Sequence, residues 1–458
     1  MIENDAFKLL LINLFHLNPN DITNIVCTTF NKMMVLLVTL ADKHQACPYC
    51  GFTAPKIKEY VTKEITHSAL TTQKCIIKYR ARRYKCPCCG KTYYEFNPFV
   101  FKSQKISILT VHNILKDLKD FNETFTSVAR RYHVSPTSVS TIFDNHVDIG
   151  RNPLPEIINF DEVYAFKSEK SKYVCVLLDF KKQIPVDVLP NRKKEYLLNY
   201  FQKIPLEERK KVKYACSDMY EVYRDVVHKV FPEAKHLLDY FHLSQDFHKK
   251  MNEVRIKVMK GYKDNKASDE YYLLKKFNWL LFKNPEDEDK YGRLFDVERE
   301  RKYNSHFKSY MNYYDLRKKL LEINNDLTIC YSLKLELVDF YSKSTIDNAQ
   351  VNLEHLIRSC IDTNIEEMIA FSNNLINWKQ EIINSFTIVG TEYKVEADKG
   401  QVVVCNKKVN NAIIENRNKI IKCIKNNANG YTNWSRFRNR VMYVLDPNAT
   451  FSLEPREK

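Results

Sequence analysis

The sequence predicts a multidomain α/β protein. Two cysteine pairs sit among strand-like runs in the first hundred residues. After residue 150, short β-branched runs are followed by stretches with helical spacing. A chain of 458 residues also exceeds one ordinary core. The expected division is a zinc-binding unit over 1–102, a helical unit over 103–150, the first part of an α/β core over 151–244, a mainly helical insertion over 245–405, and a final core helix with a basic tail over 406–446.

In the first unit a short helix and a strand over Lys32–Leu40 precede Cys47-Pro-Tyr-Cys50-Gly. Cys86-Pro-Cys88-Cys89-Gly follows. Paired Cys-x-x-Cys turns, each with a trailing Gly, are what a tetrahedral four-thiolate zinc site needs. The expected ligands are Cys47, Cys50, Cys86 and Cys89, with Cys88 as an alternative to Cys89. Two strand-like runs, Ile57–Ile65 and Lys74–Tyr84, form a hairpin that brings the pairs together. The run Tyr79–Lys85 interleaves aromatic residues with Arg80, Arg82 and Arg83, a pattern suited to phosphate contact and base stacking or to a solvated basic face.

Residues 103–147 read as helices: Ile106–Leu118, then Thr124–Tyr132, a turn at His133-Val134-Ser135, and Pro136–Phe143. Ser135 suits an N-cap and Pro136 the first helical position. Val139, Ile142 and Phe143 face inward, leaving Thr137, Ser138, Ser140 and Thr141 outside. That pattern fits a helix-turn-helix whose second helix enters a major groove, and it also occurs as a plain packing unit.

The α/β core is expected to run strand 157–166, strand 173–180, strand 183–189, helix Lys194–Lys203, strand Val212–Cys216, helix Val222–Val230 and strand Ala234–Leu238. Three antiparallel strands, a helix and a strand ending in an acid is the order of an RNase H-like core. In that core the acids of the first and fourth strands lie together and need a cation. Asp161 and Glu162 alternate across the first strand, so Asp161 is taken as the first ligand. Asp218 is the second, with Asp239 as its rival; Asp179 and Asp187 read as turn or edge residues. His242 reads as a strand-end histidine or a group that orients phosphate or water. Arg192 and Lys422 are candidates for phosphate contact.

Residues 245–385 are charged and helical with almost no Gly, and Thr387–Val404 reads as a hairpin about Asp398-Lys-Gly400. On a wheel, Asn411–Asn426 places Ile413, Ile420, Ile421 and Ile424 on one stripe, with Glu415, Asn418, Lys419 and Lys422 opposite. The tail Gly430–Arg440 adds aromatic and basic groups, Arg440 among them, suited to a nucleic-acid backbone.

Composition agrees with a polyanionic partner. The net charge is +16, favouring nucleic acid first and an anionic membrane second. Eight glycines disfavour Gly-rich phosphate loops. The 13 cysteines, with Glu3 and Asp5 in place of a secretory signal, favour metal binding over disulfides. No apolar run reaches membrane-span length, Met33–Ala41 being about half of it. A cytoplasmic, nucleoid-associated protein is expected.

These motifs, with Ser217-Asp218-Met219-Tyr220, Asp239-Tyr-Phe-His242, Ala412–Asn418 and Phe437–Arg440, resemble the ISL-three (ISL3) family of insertion-sequence transposases over nearly the whole chain. The resemblance implies a DDE transposase that binds terminal inverted repeats, and it places the triad on Asp161, Asp218 and Glu415. It implies two Mg²⁺ (or Mn²⁺) ions there, one structural zinc, double-stranded DNA as partner and a homodimer on DNA. DNA contacts are expected from Arg80, Arg82, Arg83, Thr137, Ser138, Thr141, Asn418, Lys422 and Arg440. Asn416 departs from the family pattern, which has Gly there. The alternatives are an inactive or repurposed DNA-binding protein and a nuclease without strand transfer.

Overall fold

The computed structural model describes residues 2–43, 46–68, 72–101, 104–166, 171–395 and 402–456. Helix α1 (Ile2–Leu14) packs Leu11, Ile12 and Phe15 onto a sheet of β1 (Ile22–Phe30), β2 (Met33–Leu40), β3 (Lys56–Thr66), β4 (Cys75–Lys85) and β5 (Thr92–Tyr94). The strand order is β1-β2-β4-β3, with β5 on the end of β4. Strand β1 was not expected from the sequence. It turns into β2 through Asn31 and Lys32, both at positive φ, as a tight two-residue hairpin requires.

Three helices follow: α2 (Ile108–Asp117), α3 (Phe125–Arg131) and α4 (Pro136–His146). Thr124 and Ser127 form a capping box on α3, and the Ser135 side chain accepts the Ser138 N–H to start α4. Val128, Ala129, Val139, Ile142 and Phe143 close the core between them, and Val134 packs into the turn.

The central sheet holds β6 (Ile157–Val163), β7 (Val174–Asp179), β8 (Pro185–Leu189), β9 (Tyr214–Ser217) and β10 (Lys235–Leu238). Its order is β10-β9-β6-β7-β8. β6, β7 and β8 pair antiparallel, while β9 and β10 run parallel to β6. Helices α5 (Lys194–Gln202), α6 (Leu206–Arg209) and α7 (Glu221–Val230) lie within this segment. Phe160, Leu177, Phe201, Tyr223 and Val227 fill the α5/α7 side of the sheet. The opposite side is covered by two helices that follow a long insertion in the chain.

Between those helices and the sheet lies an insertion with its own core: α8 (Tyr240–Lys260), α9 (Asp269–Lys276), two short hairpins β11–β12 (Glu288–Asp289, Gly292–Arg293) and β13–β14 (Lys302–Asn304, Ser309–Met311), α10 (Tyr313–Glu322), α11 (Asn325–Lys343), α12 (Ala349–Asp362), α13 (Glu366–Asn377) and α14 (Lys379–Asn384). Leu280 and Leu281, from the apolar run Trp279–Phe282, are buried in it. The antiparallel hairpin β15–β16 (Ile388–Val395, Val402–Lys408) follows; the expected turn at Asp398-Lys-Gly400 lies outside the described residues.

The chain then returns to the sheet as α15 (Ala412–Asn427) and α16 (Trp434–Leu445). Ile414, Ile421, Ile424, Phe437 and Val441 pack on Val163, Val174, Val176 and Val188. The result is a helix–sheet–helix sandwich. The inward stripe of α15 differs from the expected one: Ile414, Asn418, Ile421 and Ile424 are buried, while Ile413 and Ile420 sit at its margin. Among the described residues no helix is long and apolar enough to cross a membrane.

The C-terminal basic tail is a correction. Arg436 forms a bidentate pair with Asp144 of α4, at 2.9 and 2.6 Å. Arg438 bonds Asp187 of β8 at 2.7 Å. Arg440, 1% exposed, donates to the carbonyls of Asp120 and Glu123 at 2.8 and 2.7 Å. These cations lock the α2–α4 unit onto the central sheet, so Arg440 is a structural residue and not a DNA contact.

Candidate metal centres and carboxylate site

The first centre forms locally. Each Cys-x-x-Cys turn folds on the same pair of backbone bonds: Gly51 N–H to Cys47 O and Gly90 N–H to Cys86 O, both 2.9 Å. Gly51 and Gly90 take φ of +75° and +69°, a region that L side chains avoid. Strands β3 and β4 bring the turns together. Cys47 Sγ lies 3.7 Å from Cys89 Sγ, and Cys50 Sγ 3.5 Å from Cys86 Sγ. All four sulfurs lie within 4.8 Å of one another, while Cys88 is exposed outside the cluster. Backbone N–H donation, chiefly from Cys89, lowers the Cys86 thiol to about 7.

The basic strand leading into this cluster is partly turned inward. Arg82 bonds Glu95 at 2.7 Å and the Leu40 carbonyl at 3.2 Å, and is largely buried, which corrects its expected DNA role. Tyr79 and Tyr84 are buried and cannot stack on bases. Arg83 pairs with Glu59 at 2.7 Å. Arg80 is exposed, 4.8 Å above the Tyr60 ring. On α4, Thr137 and Thr141 are exposed and Ser138 is half-exposed.

The second centre is assembled across the fold. Asp161 on β6 and Asp218, just beyond β9, come from neighbouring parallel strands. Asp161 is 8% exposed. Burial pushes both carboxyls up to about 7, and each is raised further by acidic neighbours: Asp161 by Asp218 and Glu162, Asp218 by Glu162 and Asp239. Glu162 is itself ion-paired with Arg192, and Tyr223 donates its hydroxyl to it at 3.2 Å. Arg192 also lies 4.6 and 4.7 Å over the rings of Tyr173 and Tyr220. That guanidinium is therefore committed to positioning Glu162 at the strand edge.

Helix α15 is registered on β6 by buried amides. Asn159 donates to Asn411 Oδ1 at 2.7 Å and to the Asn410 carbonyl at 2.8 Å. One turn into the helix stands Glu415, half-buried. Asn418 follows, buried, and its Nδ2 donates to Asp161 Oδ2 at 2.8 Å. This overturns the expected outward face and DNA role of Asn418. Lys422 is exposed, as expected.

Glu415 clusters within 4.8 Å with Asp239 and His242, at the start of α8; Asp161, Asp218 and Glu415 do not form one such cluster. Asp239 is raised by burial and His242 Nε2 lies 3.9 Å from its Oδ2. From the sequence, Asp239 is a rival to Asp218, and His242 is either a strand-end histidine or a group that orients phosphate or water. The spacing Asp239-x-x-His242, three residues apart across a helix start, is the signal that could have joined them. Asp218 Oδ1, Asp239 Oδ2, His242 Nε2 and Asn418 Oδ1 are all buried without a hydrogen-bond partner. Orphaned polar atoms beside buried acids are the mark of a cation site.

Residues 158–397 match a transposase family, the ISL3 DDE transposases. That span holds Asp161, Asp218, Asp239 and His242 and ends before Glu415. The chain is also similar to the transposase for insertion sequence element IS1001 from Bordetella parapertussis, with 19% identity over 409 residues, covering 89% of this chain and 90% of that protein. With more than half its length matched, the chain belongs to the ISL3 family of transposases.

Proposed function

We propose that the protein is a DNA transposase of a bacterial insertion sequence, which binds the element's terminal inverted repeats and carries out metal-dependent strand cleavage and strand transfer. The observation that carries this reading is the pair of carboxylates Asp161 and Asp218, both raised by burial and by acidic neighbours, beside orphaned polar atoms. The central sheet is read as an RNase H-like core. Asp161, Asp218 and Glu415 would hold the Mg²⁺ or Mn²⁺ ions. Such ions supply activation of water and stabilisation of the leaving 3′ oxygen during in-line displacement at phosphorus. Asn418 holds Asp161 in place through its 2.8 Å bond. Asp239 and His242 fix the end of the pocket where Glu415 stands.

The released 3′-OH then attacks target DNA, and no covalent protein intermediate is needed. Cys47, Cys50, Cys86 and Cys89 hold one structural zinc; the sulfur spacing fits that ion. Helix α4 presents Thr137, Ser138 and Thr141 to a major groove, and Arg80, Arg83 and Lys422 contact phosphates. Two copies pair the two element ends.

The test is cleavage of a duplex carrying the element end, with Mg²⁺, by the native protein and by Glu415→Ala. Both should bind, and only the native protein should nick at the boundary. Binding without cutting by both favours the repurposed DNA-binding reading. Equal cutting by both removes Glu415 from the site.

A further inference from the structure

Away from the carboxylate pocket, three elements bring a second set of ligand atoms together: His228 in the last turn of α7, His236 on β10 and Glu381 on α14. We infer that they form a zinc-class divalent metal site at the seam between the central sheet and the helical insertion.

Ser217 Oγ lies 2.9 Å from both the Asp218 carbonyl and His236 Nε2. With its single proton given to the carbonyl, the hydroxyl oxygen accepts from Nε2–H, the tautomer that leaves the Nδ1 lone pair free for a ligand. His236 is 1% exposed and its Nδ1 has no hydrogen-bond partner. That lone pair faces the Glu381 carboxylate, with Oε1 at 3.9 Å. Two acceptors facing each other in a buried place need a proton or a metal ion between them, and a third ligand atom beside them points to the metal.

His228 completes the set. Its Nε2 is 3.9 Å from Glu381 Oε1, and the three ligand atoms lie within 4.8 Å of one another. Its side chain is 56% exposed, so it can rotate inward to shorten the ligand distances. The same side gives the ion an entry path and a position for water. Two imidazoles and one carboxylate suit zinc and disfavour magnesium or calcium, which take oxygen ligands. The Nε2–H bond to Ser217 is the outer contact that orients a metal-bound histidine. Arg224 is the nearby cation, but it is held 4.3 Å over the Trp378 ring and donates to the Asn377 carbonyl at 2.9 Å. Glu381, 5% exposed, has no Lys or Arg ion-pair partner among the described residues. A metal here would pin α14 against β10 and, through Ser217, against the backbone that carries Asp218.

The experiment is elemental zinc analysis of the full-length protein and of His228→Ala and Glu381→Gln, each equilibrated with buffered zinc and passed over a chelating resin. Cobalt substitution is followed in parallel by absorption. Both variants should hold one equivalent less zinc than the native protein. Their cobalt–thiolate charge-transfer absorption should be unchanged, since the cysteine cluster is untouched. His228 is exposed, so its replacement does not threaten folding. Equal zinc content in the native protein and both variants would overturn the site and leave His236 and Glu381 as a proton-sharing pair. The readout is metal content alone, so it stands or falls separately from DNA cleavage.

Discussion

The cysteine cluster and the carboxylate pocket both crowd like-charged ligands together, but they are built in opposite ways. The cluster rests on two copies of one local turn joined by a hairpin, and its four sulfurs already stand 3.5–3.7 Å apart in pairs. The pocket draws on β6, the end of β9, the start of α8 and the first turns of α15, and it leaves four buried polar atoms unpaired. In the proposed function the first is a closed structural site and the second stays open for a substrate. Local repetition makes a rigid site, and distant assembly makes one that is incomplete until its ligands arrive.

The largest expected effect tests the closed site. Cys47→Ser should remove the tightly held zinc and lower end-DNA affinity by at least about tenfold, because the folded ribbon depends on the ion. Elemental analysis and a binding titration check both. Asp218→Asn should do the reverse. It should keep DNA affinity but reduce cleavage by on the order of 10²–10³ or more, the scale for losing a group that stabilises transition-state charge. In chelator the same variant should unfold later than the native protein, by roughly 2 kcal/mol, since a buried repelling carboxylate is gone.

The pocket also sets a pH dependence. Asp161 and Asp218 titrate at about 7 in the folded protein, above their ordinary value of 3.8. A raised carboxyl contributes stability that is fully present below the unfolded pKa and is lost as pH rises through the folded one. The metal-free native protein should therefore lose stability relative to Asp218→Asn between about pH 4 and 7. Over the same range Mg²⁺ should bind more tightly as pH rises, because binding must displace the protons. Denaturant melts of both proteins across pH, with and without Mg²⁺, measure it.

Most of the strand and helix order was legible, because β-branched runs and apolar spacing report burial directly. Asn159, Asn411 and Asn418 were not, because a wheel ranks an amide as polar and cannot see that Asp161, some 250 residues earlier, waits for its N–H. The tail arginines were misread for the same reason. Arg436, Arg438 and Arg440 find Asp144, Asp187 and two carbonyls that only the tertiary fold brings to them. A cation-rich segment looks the same whether its partners are phosphates or buried acceptors. Strand β1 was missed because Thr and Asn interrupt its apolar residues, which leaves only Ile22 and Ile25 buried.

Two smaller effects separate the inward cations from the outward ones. Arg440→Met should cost about 2–4 kcal/mol, since two buried carbonyls lose their donor, and should leave the salt dependence of DNA binding unchanged. Arg80→Ala should change stability by less than about 0.5 kcal/mol, yet flatten the salt dependence by about one counterion. Melts and binding titrations across salt distinguish them.

The most direct measurement is thermal unfolding with and without Mn²⁺ for the native protein, Asp161→Asn and Asp218→Asn. Cation binding in the carboxylate pocket predicts a Mn²⁺-dependent rise in Tm for the native protein that both variants lose, each already having a higher Tm in chelator. An equal Mn²⁺ response in all three would contradict it, and would mean that these two acids do not hold the metal.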